Sequence, residues 1–169
     1  MNKNRKHKAL ITVLASAILL TACSTNKPTP TPHRNTHPYW EKSAGAPEAA
    51  AFMKVKIPDG ATDVQGAVQI NPREDNYILT FQTDKKTAKL VAQDLRSPDP
   101  LEPWGINSSP HIEYFGHLGL AEPETLKDSL HAGVCPPCVK DNRRRTVAWI
   151  EIYIENLDAD RARVYLHAF

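Results

Sequence analysis

The stretch VAWIEIYI at residues 147–154, with the turn NLDAD at 156–160 and RARVYLHAF at 161–169, decides the fold of this chain. Apolar residues alternate on both sides of a turn-forming segment, which predicts two antiparallel strands. Because side chains alternate between the two faces of a strand, one face is predicted to be core and the other wetter. The predicted core residues are Ala148, Ile150, Ile152, Ile154, Ala162, Val164, Leu166 and Ala168, and the wetter face holds Arg161, Arg163, Tyr165 and His167.

A second hairpin and a helix are predicted upstream of this stretch. Val64–Ile70 and Tyr77–Thr83 are two strand-like segments separated by the loop at 71–76. After Thr83 or Asp84 as a cap, apolar residues recur at helical spacing, and Ser97-Pro98 ends the run. The residues on this helical stripe are Ala88, Val91, Ala92 and Leu95.

The remaining predicted elements are short. Strands are expected at Val55–Ile57 and His111–Phe115. A short helix is expected to begin at Pro123, with Leu126 and Leu130 on one side and Gly133 just beyond its end. A loop at 97–110 carries Trp104 and is a candidate contact surface. The order of elements predicts an α+β domain over residues 53–169, with a mainly antiparallel sheet and two helices packed on one of its faces.

The first 23 residues have the organisation of an export signal. Met1–Lys8 is basic, and the twelve residues Ala9–Leu20 are mostly apolar. A helix of that length spans about 18 Å, which is short of the roughly 30 Å hydrocarbon core, so a cleaved signal is favoured over a permanent span. Leu20-Thr21-Ala22-Cys23 follows directly.

This tetrapeptide resembles the lipobox of bacterial lipoproteins. The resemblance implies that residues 1–22 are removed and that the Cys23 thiol carries acyl chains that anchor the protein on the extracytoplasmic side of the cell membrane. An ordinary signal peptide, with Cys23 as a free thiol, is the alternative. The nature of Ser24 does not decide which membrane is the destination. The rest of the chain resembles the small, mostly uncharacterised lipoproteins of actinobacterial type, which implies no particular activity.

Residues 23–52 are interpreted as the lipidated terminus and a tether. Pro28, Pro30, Pro32 and Pro38 lie among polar residues, which predicts an extended stalk, and a short helix is expected near Ala49–Phe52. A Pro-rich ligand segment and a metal site at His33 and His37 are weaker alternatives. Loss of Lys3, Arg5, Lys6 and Lys8 with the signal leaves 17 of the 21 basic residues against 19 acidic ones, a net charge of about −2. This balance does not favour nucleic acid as a partner.

Cys135-Pro136-Pro137-Cys138 is the motif with the greatest reactive potential. With Cys23 lipidated, Cys135 and Cys138 remain as a pair in an oxidising compartment, and a structural disulfide is expected. A thioredoxin-like site normally opens a long helix after a strand, whereas the expected helix before Cys135 and the polar turn after Cys138 give a different context. A zinc site with His131 and either His111 or His117 is the weaker alternative, and no metal or other cofactor is predicted.

The sequence contains no recognisable catalytic motif. The acidic residues are interpreted as solvation of turns and polar faces, and Arg143-Arg144-Arg145 as a solubilising loop before an apolar strand, with an acidic partner as the alternative. The expected function is therefore a non-enzymatic, lipid-anchored module that binds an envelope protein or component, with inhibitor or immunity character as one form of it. The alternative is a membrane-tethered thiol-disulfide oxidoreductase that uses Cys135 and Cys138.

Overall fold

A computed structural model describes residues 36–104 and 113–169, which lie in one compact unit. The predicted signal residues 1–22, Cys23, residues 24–35 of the predicted tether and residues 105–112 lie outside the described residues. The described helices are α1 (Ala46–Met53) and α2 (Lys85–Leu95). The described strands are β1 (Tyr39–Trp40), β2 (Thr62–Ile70), β3 (Asn76–Asp84), β4 (Glu102–Pro103), β5 (Leu130–Val134), β6 (Ile150–Asn156) and β7 (Arg161–Ala168).

All seven strands form one antiparallel sheet in the order β1-β2-β3-β7-β6-β5-β4. The predicted C-terminal hairpin is confirmed, with Tyr153 opposite Tyr165 and Ile152 opposite Leu166. It occupies the middle of the sheet because β7 also pairs with β3. The predicted α+β class, with a mainly antiparallel sheet and two helices, is therefore correct, although one of the two helices is α1 and not the helix expected after Pro123.

Both helices pack against the same face of the sheet. Asp84 caps α2 by accepting a 2.8 Å hydrogen bond from the Thr87 amide, and the apolar stripe of α2 is buried as predicted. Helix α1 approaches β2 closely at Gly66, where a Cβ would lie 2.6 Å from Cα of Ala46. The strand residues beneath the helices include Leu79, Phe81, Ile150, Ile152, Ile154, Val164 and Leu166. Ala148, predicted as core, is exposed and precedes β6.

The folded region begins earlier than the predicted boundary at residue 53. Strand β1 pairs with β2 through Tyr39 and Trp40, and Ala49 and Met53 of α1 are fully buried in the core. The short helix expected near residues 49–52 is therefore part of the domain. The apolar side of α1 is needed to cover the sheet. Strand β1, with Tyr39 and Trp40, supplies backbone hydrogen-bond partners to the outer edge of β2.

Three of the shorter elements differ from prediction. Val55–Ile57 is irregular, and the segment expected to be a helix from Pro123 forms one 3-10 turn, Pro123–Thr125, and then strand β5. Residues 130–134 form a strand because they pair with the otherwise open edge of β6. The alternation of this strand also buries Ala132 and Val134 in the core. His111 and Ile112 lie outside the described residues, and Phe115, expected at the end of a strand, begins a 3-10 turn that ends at Leu118. Within the described part of the chain, neither helix is long and apolar enough to cross a bilayer.

Candidate functional site

The face of the sheet opposite the helices carries a layer of polar and aromatic side chains. Alternation places Glu151, Tyr153 and Glu155 of β6 beside His167, Tyr165 and Arg163 of β7, and we call these six residues the polar sheet face. The prediction that this face is wetter is only partly right, because Tyr153 and Tyr165 are each 2 % exposed. A second apolar cluster covers them, with contributions from Phe115, Tyr114, Leu118, Leu126 and Trp104.

A cavity of about 200 Å³ lies between this second apolar cluster and the polar sheet face. Two carboxylates, from Glu124 and Glu151, enter it from different elements. Glu124 belongs to the 3-10 turn Pro123–Thr125, and Glu151 belongs to β6. The remaining lining residues are Tyr114, Phe115, Pro123, Tyr153 and His167.

The Tyr153 hydroxyl lies between the two carboxylates. Its oxygen is 3.2 Å from Oε1 of Glu124 and 3.1 Å from Oε2 of Glu151. A phenol has one proton and can donate it to only one of them. Oε2 of Glu124 is shielded from solvent and has no hydrogen-bond partner, whereas Oε1 of Glu151 accepts from Trp149 Nε1 at 3.3 Å. The cavity therefore holds more acceptors than its own donors can satisfy.

No basic side chain of the described residues forms an ion pair with Glu124 or Glu151. The other end of the polar sheet face is different: Glu155 accepts a 2.8 Å hydrogen bond from the Tyr165 hydroxyl, and Arg163 pairs with Asp63 at 2.6 Å. The cavity therefore differs from the other end of this face in having two carboxylates and no arginine or lysine in its lining.

Two histidines border this region, and burial affects both. Burial lowers the pKa of His167 to about 4, although Glu151 opposes the shift. Its Nε2 lies 3.0 Å from Oδ1 of Asn76, and its ring lies 4.4 Å from that of Tyr114. Burial also lowers the pKa of His131, which packs against Tyr153 with ring centroids 4.5 Å apart. Both imidazoles are therefore uncharged at neutral pH.

The position of Glu151 depends on a glycine in the neighbouring strand. Gly133 lies opposite Glu151, and the ring of Trp149 lies against it so closely that a Cβ at 133 would be 2.5 Å from Cζ2 of the indole. This approach brings Nε1 of Trp149 to the Glu151 carboxylate. Trp104, predicted to present a contact surface, is half-buried and packs edge-on against His131 and Tyr153.

The predicted disulfide between Cys135 and Cys138 is present, with the two Cα atoms 5.2 Å apart. The pair follows strand β5 rather than the expected helix, so that part of the argument against a thioredoxin-like site was wrong. A turn over residues 136–140, however, stands where such a site would place a helix. His117, considered as a zinc ligand, instead stacks on Trp40 with ring centroids 4.0 Å apart. Among the described residues, no group of three His, Cys, Asp or Glu side chains is arranged to hold a metal ion.

The arginine triplet is not the solvated loop that the sequence suggested. Arg144 is fully buried, and Arg143 pairs with Asp94 and Asp141, while Arg145 is exposed. Side-chain hydrogen bonds from Arg143 and Arg144 overcome the effect of burial on Asp141 and lower its pKa to about 2. This network lies under the helices and has a structural role.

Sequence reasoning missed the cavity because it interpreted the acidic residues as solvation. The alternation of Glu151, Tyr153 and Glu155 with the apolar core residues of β6 was the available signal, since it marks a second face that is too aromatic for simple solvent exposure. Glu124 gave no such signal. Comparisons with protein-family models, curated proteins and solved structures give no match. Function is therefore inferred from the chemistry of the site itself.

Proposed function

We propose that this chain is a lipid-anchored, extracytoplasmic binding protein that recognises its partner through the cavity above the polar sheet face. The observation that carries the proposal is the surplus of acceptors around the Tyr153 hydroxyl, where the carboxylates of Glu124 and Glu151 compete for one proton. Buried acceptors without hydrogen-bond donors cost free energy, and a ligand bound in the cavity would supply the missing donors.

The chemistry of the cavity favours binding over catalysis. Burial and the two neighbouring carboxylates raise the pKa of Tyr153, so its hydroxyl keeps its proton at neutral pH and is a poor nucleophile. His167 is a weak base, since burial lowers its pKa to about 4. General acid–base catalysis works best when the pKa lies near the working pH, and neither group meets that condition.

The proposed anchor rests on the N-terminal sequence. The basic start, the short apolar core and Leu20-Thr21-Ala22-Cys23 support lipidation of Cys23, and the proline-rich residues that follow support an extended tether. Two acyl chains are sufficient for stable attachment of a small domain to a bilayer. Metabolic labelling with a fatty acid tests the anchor: the wild type should be labelled and Cys23→Ala should not. Equal labelling of both would remove the lipid anchor from the proposal.

The binding surface is tested separately with a photo-crosslinking residue introduced into the full-length protein in its native membrane. Thr125 adjoins Glu124 and is exposed, and Leu90 on α2 is 53 % exposed on the opposite side of the sheet, which makes it the matched control. We expect a discrete adduct from position 125 that is absent from position 90 and is lost when Glu124→Gln and Glu151→Gln are combined. The same adducts from both positions, or an adduct that survives the double variant, would show that the cavity is not the binding surface.

The thiol-disulfide oxidoreductase remains the rival hypothesis, and its test is independent of the cavity. A turn follows Cys135 and Cys138 where thioredoxin-like sites have a helix, so no helix N-terminus is available to stabilise a thiolate. We expect the pair to stay oxidised in strongly reducing glutathione buffers and the reduced protein to be inactive toward a model disulfide. Catalytic turnover of that disulfide would favour the rival.

A further inference from the structure

We infer that the cavity between Glu124 and Glu151 binds a primary alkylammonium group, such as the end of a lysine side chain. The inference rests on the proposed binding function and specifies the chemistry of its ligand. It follows from the number and placement of the acceptors, from the charge of the lining and from the size of the cavity.

The acceptors call for a donor that carries positive charge. Tyr153 supplies one proton to a site where Oε1 of Glu124 and Oε2 of Glu151 both lie within hydrogen-bond distance of its oxygen. Oε2 of Glu124 is closed to solvent, so the acceptors that a ligand could reach are Oε1 of Glu124 and Oε2 of Glu151. The lining contains two carboxylates and no Lys or Arg. Hydrogen bonds between a cation and a carboxylate are roughly twice as strong as neutral ones, so a cationic donor satisfies this site best.

The arrangement of the carboxylates favours an ammonium over a guanidinium. A guanidinium binds most strongly when both oxygens of one carboxylate face it in a plane. Neither carboxylate offers such a pair, because Oε1 of Glu151 accepts from Trp149 Nε1 and Oε2 of Glu124 is closed to solvent. Two carboxylates that converge from different elements, each with an oxygen available, instead suit the three diverging donors of an ammonium.

The volume and the walls of the cavity agree with this ligand. A cavity of about 200 Å³ is smaller than the range of about 300–1,000 Å³ that is typical of drug-sized ligands. At roughly 30 Å³ for each water-sized group, it has room for the five heavy atoms of a butylammonium. The rings of Tyr114 and Phe115 provide apolar lining for the methylene groups, and aromatic faces also attract a cation.

The test uses full-length protein in detergent, with the amide NMR signals of Tyr153 and His167 as reporters. The probes are n-butylammonium and Nα-acetyl-lysine N-methylamide, with tetramethylammonium and n-butylguanidinium as comparisons. We expect saturable shifts with both primary amines and at least tenfold weaker binding of tetramethylammonium, which has no N–H donor. A blocked lysine that binds more tightly than butylammonium points to a protein partner, and the reverse order points to a free amine.

Three variants locate the effect. Glu124→Gln and Glu151→Gln should each weaken butylammonium binding about tenfold, while Glu155→Gln is the matched control because that carboxylate accepts from Tyr165 outside the cavity. If a glutamine variant fails to fold, the comparison of the four probes on the wild type still decides the matter. The inference is overturned if the primary amines give no saturable shift, if tetramethylammonium or butylguanidinium binds equally well, or if Glu155→Gln has the same effect as the cavity variants. Loss of amine binding together with a discrete adduct from position 125 would overturn the ligand chemistry and leave the proposed function standing.

Discussion

Replacement of Arg144 by methionine should destabilise the protein more than any surface substitution. The Arg144 guanidinium is fully buried and connects both helices to the chain that precedes β6. Its Nε donates to the Met53 carbonyl at 2.8 Å, and its Nη2 donates to the Lys54 carbonyl at 3.0 Å, both at the end of α1. Its Nη1 donates to the Asp94 carbonyl in the last turn of α2 at 2.9 Å. Carbonyls at helix ends lack partners within the helix, so Arg144 satisfies both ends at once.

The expected loss can be worked out from these contacts. Removal of one member of a buried ion pair costs about 3–5 kcal/mol, because the other charge stays buried. Asp141 is 1 % exposed and loses a 2.7 Å contact, although Arg143 remains bonded to it, which places this part near 3 kcal/mol. The carbonyls of Met53 and Lys54 lose their arginine donors, and at roughly 0.5 kcal/mol for each hydrogen bond the two losses together add about 1 kcal/mol. We therefore expect a loss of about 4 kcal/mol in the free energy of unfolding.

Urea denaturation followed by circular dichroism measures this loss. With an m-value of roughly 1–3 kcal/mol/M, 4 kcal/mol lowers the midpoint by more than about 1 M at unchanged m. Arg145→Met is the control, since Arg145 is the exposed neighbour and its replacement should change stability by less than about 0.5 kcal/mol. If Arg144→Met costs less than about 1 kcal/mol, or no more than the control, the guanidinium does not hold the two helix ends as described.

Three further predictions follow from other contacts. Gly133→Ala should lower the free energy of unfolding by about 1–3 kcal/mol and change the tryptophan fluorescence, because the added Cβ collides with the Trp149 ring. Gly116→Ala is the control and should change neither quantity, because its Cβ would meet Glu122 only at 3.6 Å. The free energy of unfolding should fall as the pH decreases from about 6.5 to 4, by up to about 1.4 kcal/mol per pH unit. The reason is that burial lowers the pKa of His167 to about 4, so the unfolded state binds the proton at a higher pH than the folded state does. The urea midpoint of His167→Gln should depend less steeply on pH over that range. Replacement of both Cys135 and Cys138 by alanine should lower the free energy of unfolding by about 2 kcal/mol, and an unchanged urea midpoint would contradict the structural role expected of the disulfide.

The parts of the fold that could be predicted are those in which local and tertiary preferences agree. The β6–β7 hairpin alternates cleanly, and α2 combines a capping aspartate with an apolar stripe that the core requires. Both patterns are periodic over seven or more residues, so chance matches are rare. The disulfide could also be predicted, because two cysteines separated by two residues are expected to pair in the oxidising compartment that the predicted export signal implies.

The elements that were mispredicted are those whose identity depends on distant partners. Leu126 and Leu130 have helical spacing, but the free edge of β6 recruits residues 130–134 as a strand, and Gly133 is needed there only because Trp149 lies against it. The interior position of Arg144 follows from carbonyls that lie far away in sequence, at Met53, Lys54 and Asp94. The site has the same origin, since Glu124 and Tyr153 are 29 residues apart and meet only through the fold.

The two faces of the sheet satisfy their buried polar groups to different degrees, and the less satisfied face is the one that carries the proposed site. On the helical face, the buried Arg144 donates hydrogen bonds both to the Asp141 carboxylate and to carbonyls at the helix ends. In the described part of the chain, the buried side-chain polar atoms without partners all belong to the opposite face or its cover: Thr80 Oγ1, Trp104 Nε1, Glu124 Oε2, His131 Nε2 and Arg163 Nε. Each such atom costs roughly 1–3 kcal/mol when it stays unpaired. Within the cavity on that face, the Glu124 and Glu151 carboxylates share the one proton of Tyr153, so a ligand that supplies donors there would pair the acceptor that Tyr153 leaves unsatisfied.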